Sequence, residues 1–403
     1  MIFDCPLLWT NISVDLPSDQ LSTFPAIPVA LKLALDKARD HPLTLSVEFT
    51  NGYADTLPPP VEELLLNAVS QSKEIQVTIR ILEAINWASP SLSLHRLETV
   101  KVMEPYYYAS ADKLRPILLR ATALKSLVAP STSQWFSNSL PLSSSMESLE
   151  CEYSTDVSLF RSYFPHLTSL TLHLTHRIDR TPSNLEFPSL IFLKLDIFPI
   201  SKSDVMKLLD GFVALPSLTS FTLKVYGWGS GLDSSIANFI QRLGFGPRLT
   251  SLTIDLPRVF FSLPNNADSD GEWFLGLILL LPALTSISLE FLAPSSSFNY
   301  IADMIVRTLQ ALLEADESDL RPHILPFLTD LSIRTHYEYE RFPDEIEDTE
   351  LAAGSMVDHL LALLELRATN HVPLQRAELV LKTRMMPSKA MESRDDDKSS
   401  QEI

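Results

Sequence analysis

Apolar positions in the second half of the chain recur in one eight-residue phrase headed by proline. The copies are Pro165-His-Leu-Thr-Ser-Leu-Thr-Leu172, Pro188-Ser-Leu-Ile-Phe-Leu-Lys-Leu195, Pro216-Ser-Leu-Thr-Ser-Phe-Thr-Leu223, Pro247-Arg-Leu-Thr-Ser-Leu-Thr-Ile254, Pro282-Ala-Leu-Thr-Ser-Ile-Ser-Leu289 and Pro326-Phe-Leu-Thr-Asp-Leu-Ser-Ile333. Relative positions 3, 6 and 8 are apolar. The alternation of 6 and 8 with polar neighbours is the period of a strand with one buried face, and position 3 supplies a corner anchor before it. Weaker copies extend the series upstream at Leu97/Val100/Val102, Leu124/Leu127/Ala129 and Met146/Leu149/Cys151.

The first anchors, Leu167, Leu190, Leu218, Leu249, Leu284 and Leu328, are separated by 23, 28, 31, 35 and 44 residues. The shorter spacings match the roughly 20–29 residues of a leucine-rich repeat, and the longer ones point to insertions on one side of an array. Helical patterns fill the intervals at Asp204 to Leu209, Ser235 to Leu243, Glu272 to Leu281 and Tyr300 to Ala315, with Ser201, Ser203, Ser234 and Asp270 placed as caps. The predicted fold is therefore α/β: a leucine-rich-repeat solenoid with a curved parallel sheet on the concave side and helices on the convex side. No unit can bury its own apolar stripe, so stability must come from stacking between neighbours.

Upstream, Leu31 to Arg39 and Val61 to Ser70 read as helices, and Leu43 to Phe49 and Ile75 to Ile81 as alternating strands. Glu338 to Glu350 is rich in acids and is expected to be an exposed loop, while the polar end of the chain is expected to be a disordered tail. The expected division is residues 1–20, a segment of its own; 21–382, the solenoid; and 383–403, the tail. One conventional feature of such repeats is missing. The asparagine or cysteine expected three residues after each strand's last apolar position is replaced by Thr175, Phe198, Tyr226, Pro257, Leu292 and His336, so the turn amides need other partners.

Composition narrows the function. With 403 residues and 45% hydrophobic content there is ample material for a long core. The formal net charge of -18, with no Lys/Arg-rich stretch, opposes binding to nucleic acid. Two cysteines, Cys5 and Cys151, are too few for a disulfide framework or a cysteine-built zinc site. The longest apolar run, Trp273 to Leu284, contains Pro282 and is shorter than the roughly 18–20 residues of a membrane span, so no membrane partner is expected. Residues 1–6 show no secretory pattern, which places the chain in the cytoplasm or nucleus.

Sites of chemistry are few. Asp268-Ser-Asp270-Gly271-Glu272 begins like a calcium loop but has Trp273 where glycine belongs and Leu279 where the bidentate glutamate belongs, so it reads as a helix cap. Gly227-Trp-Gly-Ser-Gly231 matches neither phosphate-binding spacing and reads as a repeat loop. The histidines are scattered, His166 and His173 being the two near one repeat, and no H-E-x-x-H or G-x-S-x-G occurs. The expectation is no enzyme, no cofactor and no metal.

The functional candidates are instead the neighbours of each buried leucine on the open side of the strands: Glu150, Glu152, His173, Lys194, Asp196, Lys224, Asp255, Glu290, Asp330 and Arg334, with Phe192, Tyr226 and Trp228 as aromatic anchors. Aromatics and arginine concentrate interface energy, and the set expected to hold a protein target on the concave face is Lys194, Lys224, Tyr226, Trp228, Asp255, Glu290 and Arg334.

Cys5-Pro-Leu-Leu-Trp-Thr-Asn-Ile-Ser-Val14 resembles the last turn and exit strand of the F-box-like domain of mushroom-type fungi, and Ala34 to Leu45 resembles the helix and Pro-Leu strand that follow it. The Pro-x-Leu-Thr-x-Leu-x-Leu phrases are similar to the repeat region of those proteins. The resemblance implies a substrate-recognition subunit of a cullin-RING (SCF-type) ubiquitin ligase, with F-box helices binding a Skp-type adaptor and repeats holding the target. The Leu-Pro-x-Glu phrase that opens the earlier F-box helices is absent from residues 1–20, which leaves a scaffold without the ligase connection as the alternative.

Overall fold

The computed structural model describes residues 5–17, 26–51, 57–103, 111–129, 145–152, 165–175, 178, 185–198, 202–226, 232–256, 272–294, 325–339, 344–369 and 374–385. In chain order the elements are β1 (Asn11–Pro17), α1 (Ala26–Ala38), β2 (Leu43–Asn51), α2 (Pro59–Gln71), β3 (Ser72–Thr78), α3 (Ile79–Ala84), β4 (Thr99–Met103), α4 (Ala111–Arg120), β5 (Ser126–Ala129), β6 (Ser148–Glu152) and β7 (Ser169–Leu174). They continue as β8 (Leu185–Glu186), β9 (Phe192–Ile197), α5 (Lys202–Gly211), β10 (Phe212–Ala214), β11 (Ser220–Val225), α6 (Leu232–Leu243), β12 (Ser251–Leu256), α7 (Glu272–Leu279), β13 (Ser286–Pro294), β14 (Asp330–Tyr339), α8 (Asp344–Thr369) and β15 (Arg376–Met385). Thirteen strands form one sheet in chain order, with only β8 and β10 set apart as a short parallel pair.

Every pairing in the large sheet is parallel, and the register carries each repeat onto the next. One row runs Ile12, Leu45, Ile75, Val100, Leu127, Leu149, Leu170, Leu193, Phe221, Leu252, Ile287, Leu331, Ala377. A second row two residues further on includes Cys151, Leu172, Leu195, Leu223, Ile254, Leu289 and Ile333. Apart from Ala377, which is partly buried, both rows are buried against the helices, which contribute Val61, Leu65 and Ala68 from α2, Leu114 and Ile117 from α4, Ile236, Phe239 and Ile240 from α6, and Met356, Leu360 and Leu363 from α8 at helical spacing. The corner anchors Leu97, Leu124, Leu167, Leu190, Leu218, Leu249, Leu284 and Leu328 are also buried. The chain is a leucine-rich-repeat solenoid.

The turn amides find their partners in the sheet itself. The amides of Phe198 and Tyr226 donate to the carbonyls of Leu174 and Ile197 at 3.0 and 2.9 Å, and Leu292 and His336 are paired within the β13–β14 ladder. At the other end of the strands a threonine ladder does the work expected of asparagine. The hydroxyls of Thr168, Thr250, Thr285 and Thr329 donate to the carbonyls of Glu147, Thr219, Thr250 and Thr285 at 3.0–3.1 Å. Thr219 makes a longer version to Ile191 at 3.5 Å. Each accepting carbonyl also takes two backbone N–H groups, as when Thr250 accepts from Thr285 and Ser286 at 2.8 and 3.0 Å. Ser189 and Ser217 repeat the device on the proline carbonyls of the preceding phrase.

Arginines in the last turns of the helices close the outer side. Arg120 donates to the carbonyls of Trp87, Ala88 and Ser89, and Arg242 to those of Phe212 and Leu209 at 2.6 and 2.7 Å. Arg367, only 2% exposed, donates to Leu325 and Leu328. These carbonyls lie at turns and helix ends; Ser89 and Leu325 also accept one backbone N–H, from Leu92 and Leu328, and the charged side chain adds a second, stronger donor. Gly244, at φ +61°, ends α6 with its N–H on Ile240 O, a conformation that favours glycine.

Three expectations need correction. The strand read over Ile75 to Ile81 stops at Thr78, whose hydroxyl accepts from Ile81 N and caps α3. Glu338 to Glu350 is not a loop throughout, because Glu338 and Tyr339 end β14 and Asp344 to Glu350 open α8. Acidic residues are favoured at a helix N-terminus by its partial positive charge, so a run of acids there starts a helix. Residues 383–385 complete β15, and the rest of the expected tail lies outside the described residues. The expected helix at Tyr300 to Ala315 and the Asp268 motif also lie outside them. Within the segment 1–20, Pro6–Trp9 forms a 3-10 turn and β1 pairs in register with β2.

Truncating a rung leaves a cavity between layers that cannot collapse independently. Leu193→Ala should lower unfolding free energy by about 2–5 kcal/mol, and Thr285→Val, which removes one hydroxyl donor at constant shape, by only about 0.5–1.5 kcal/mol. Urea titrations of both variants check the ranking; a Thr285→Val loss equal to that of Leu193→Ala would contradict it.

Candidate protein-interaction surface

Positions 5, 7 and 9 of each phrase face away from the helices. Position 7 gives the row Glu150, Thr171, Lys194, Thr222, Thr253, Ser288, Ser332, Glu378, and position 9 gives Glu152, His173, Asp196, Lys224, Asp255, Glu290, Arg334, Val380. Short hydroxyl side chains dominate the first row from β7 to β14. The second is charged, with acids and bases largely alternating from strand to strand. Neighbouring strands lie about 4.8 Å apart, so such an order pairs opposite charges laterally.

His173 is the centre of the most enclosed group. Its Nε2 lies 2.9 Å from Glu150 Oε1 and its Nδ1 3.3 Å from Asp196 Oδ2, joining three successive strands of the sheet. Burial works against the imidazolium, but the hydrogen bonds and charges of Asp196 and Glu150 prevail and raise its pKa to about 9. The same hydrogen bond from His173 holds Glu150 below the usual carboxylate range despite partial burial. Asp196 is 6% exposed, and its Oδ1 has no hydrogen-bond partner among the described residues. Beside the group, the Cys151 thiol is fully buried; burial first, then Glu150 and Glu152, pushes its pKa upward, so it remains a thiol and offers no nucleophile.

The expected site residues fall along this surface. Lys224 Nζ is 2.8 Å from Asp255 Oδ2 and 5.3 Å from the centre of the Tyr226 ring. Burial penalises the Lys224 ammonium, yet the hydrogen bond and charge of Asp255, with the charges of Tyr226 and Asp196, together outweigh that and its pKa is raised. Tyr226 is half-buried and stacks on Phe198, with ring centres 4.4 Å apart and planes 8° from parallel. Arg334 pairs with Glu378 at 3.2 Å, which Arg376 also contacts at 2.7 Å. Lys194 is partly exposed with no hydrogen bond or ion pair among the described residues, and Glu290 is likewise partly exposed. Trp228 lies outside the described residues. The structure thus brings Lys194, Lys224, Tyr226 and Asp255 together over β9–β12, while Glu290 and Arg334 lie one and two strands beyond. Sequence reasoning missed Phe198 as a site residue, although its place in the same post-strand position as Tyr226 was the available signal.

Among the described residues no group of three or more His, Cys, Asp or Glu side chains is placed to hold a metal ion. No helix among them is long and apolar enough to cross a membrane. No family model matches the chain, and no curated protein does. A similar solved structure is the leucine-rich repeat-containing protein LegL7 from Legionella pneumophila, with 10% sequence identity, a TM-score of 0.40, and coverage of 78% of this chain and 98% of that one. The fold assignment stands on this chain's own register.

His173 makes stability depend on pH in a defined direction. Its pKa rises from about 6.5 unfolded to about 9 folded, so its contribution is complete below pH 6.5 and is lost as pH rises through 9. His173→Gln should therefore be less stable than wild type by on the order of 2 kcal/mol at pH 6 and nearly equal to it at pH 10. Urea midpoints at the two pH values measure this, and a gap that stays constant would contradict the assignment.

Proposed function

We propose that the chain is a protein-binding module that holds a protein partner on the open, concave face of its sheet and performs no catalysis. The supporting observation is the surface over β6–β14: side chains in register, zoned into a hydroxyl row and a charged row, with the Phe198–Tyr226 stack at its border. Paired aromatics and charged groups held by a rigid sheet suit recognition, since little side-chain freedom remains to be lost on binding. Lys194, Lys224, Tyr226, Trp228, Asp255, Glu290 and Arg334 are the proposed contact residues.

The finer reading is substrate recognition for a cullin-RING ubiquitin ligase, in the cytoplasm or nucleus, with a Skp-type adaptor as second partner. It rests on the resemblance of Cys5 to Val14, whose 3-10 turn at Pro6–Trp9 leads into β1. Co-purification with the adaptor supports that reading. A stable partner recovered repeatedly without adaptor supports the scaffold alternative.

The surface assignment has its own test. With a partner isolated by affinity purification and identified, Glu290→Lys and Tyr226→Ala should each weaken binding about tenfold or more. Glu63→Lys, on the exposed side of α2, should leave it unchanged. Equal losses from the helix side and the sheet side, measured by calorimetry, would contradict the assignment.

A further inference from the structure

β1 is the first strand of the sheet, and among the described residues no strand pairs with its other edge. Thr10 O accepts from Thr44 N where β1 meets β2, so by alternation the backbone groups of Asn11, Ser13 and Asp15 point away from β2. The side chains of these three residues are exposed and form no hydrogen bond or ion pair among the described residues. Beside the strand runs an apolar groove of about 440 Å³, lined by Leu8, Trp9, Ile27, Ala30, Leu31 and Ala34. In the 3-10 turn before β1, Leu7 and Leu8 are 65% and 58% exposed. A solenoid end is ordinarily closed by a polar cap, and an edge strand is guarded by bases, proline or a bulge. β1 has its proline and its register shift only at Pro17, past the outward-facing residues. β15, at the opposite edge, carries Arg376, Lys382 and Arg384 and would repel a copy of itself.

We propose that β1 is the seam of a homodimer, paired antiparallel with β1 of a second copy about a two-fold axis at Ser13. The strand is self-complementary in that register. Ser13 meets Ser13, and Asn11 meets Asp15 of the other copy at both ends of the seam, so each Asn11 amide donates to a carboxylate and no like charges face each other. Centring the axis on Asp15 instead would oppose two carboxylates. All three outward-facing residues then fall in hydrogen-bonded pairs, each exchanging both N–H···O bonds. The same axis carries Leu7 and Leu8 of each copy toward the other's Ile27, at the start of the helix that follows β1, where they fill the groove. The open face over β6–β14 stays uncovered in this arrangement, so the dimer goes beyond the protein-binding reading and does not depend on it.

The test is sedimentation velocity of the full chain at physiological salt, which screens the net charge of -18. A concentration series up to about 100 µM should show a species of twice the 45.2 kDa chain mass. Ser13→Pro removes the central outward N–H, a loss that an edge strand tolerates, and Ala30→Glu sets a charge in the groove; each should leave a monomer over the same range. Asn11→Asp opposes like charges at both ends of the seam and should weaken dimerisation about tenfold. Adding Asp15→Asn to it restores the pairing with its two members exchanged and should recover the wild-type affinity. The Asn11 and Asp15 variants change only exposed side chains, so they decide the matter even if Ser13→Pro folds poorly. Glu63→Lys, on α2, should have no effect. A monomer at every concentration overturns the proposal, as does a dimer indifferent to Ala30→Glu and Asn11→Asp, or one that the double variant fails to recover. The protein-binding reading stands or falls separately, on the Glu290→Lys and Tyr226→Ala measurements.

Discussion

Lateral register between parallel strands is the constraint on which the rest of this molecule depends. A single strand-and-helix unit here exposes an apolar stripe that it cannot cover, and only the next unit, in the same phase, covers it. The row from Ile12 to Ala377 shows that phase kept across thirteen strands, although the anchors at Leu167 to Leu328 are spaced from 23 to 44 residues apart. Insertions are therefore absorbed between strands without disturbing the order of the sheet. The Thr168–Thr329 ladder locks the same phase at the polar edge, where a slip of one residue would lose a hydroxyl bond and turn every leucine outward.

That constraint also governs the functional face. Because strand order follows chain order, side chains distant in sequence become lateral neighbours at a fixed spacing, and opposite charges on successive repeats become ion pairs such as His173–Asp196 and Lys224–Asp255. Glu150, His173 and Asp196 lie on three strands and form one partly buried group only because β6, β7 and β9 are in phase. The face is consequently stiff, and its recognition chemistry belongs to the array as a whole.

Much of this was legible in the sequence. The proline-headed phrase located β7, β9, β11, β12, β13 and β14, and its weaker relatives located β4, β5 and β6, because period-two burial leaves a strong local mark. Alternation likewise named Lys194, Lys224 and Asp255 as neighbours on the open face. The threonine at the fourth position of five of the six phrases was equally visible, but its role depends on a carbonyl 21 to 44 residues away, which no local pattern supplies. The end of β3 at Thr78 escaped for a related reason: Ile79 and Ile81 continue the alternation, while the capping hydroxyl of Thr78 turns the chain into a helix. Side-chain pairing, such as the Phe198–Tyr226 stack and the His173 group, appears only once register is known.

A double-mutant cycle reads the ladder most directly. Leu193 and Phe221 are adjacent rungs, whereas Leu45 lies at the far end of the same row. Truncation of Leu193 and Phe221 together should depart from additivity by about 0.5–3 kcal/mol, and truncation of Leu193 with Leu45 should be additive within about 0.5 kcal/mol. Additivity in both cycles would contradict stacking of neighbouring repeats as the source of the fold.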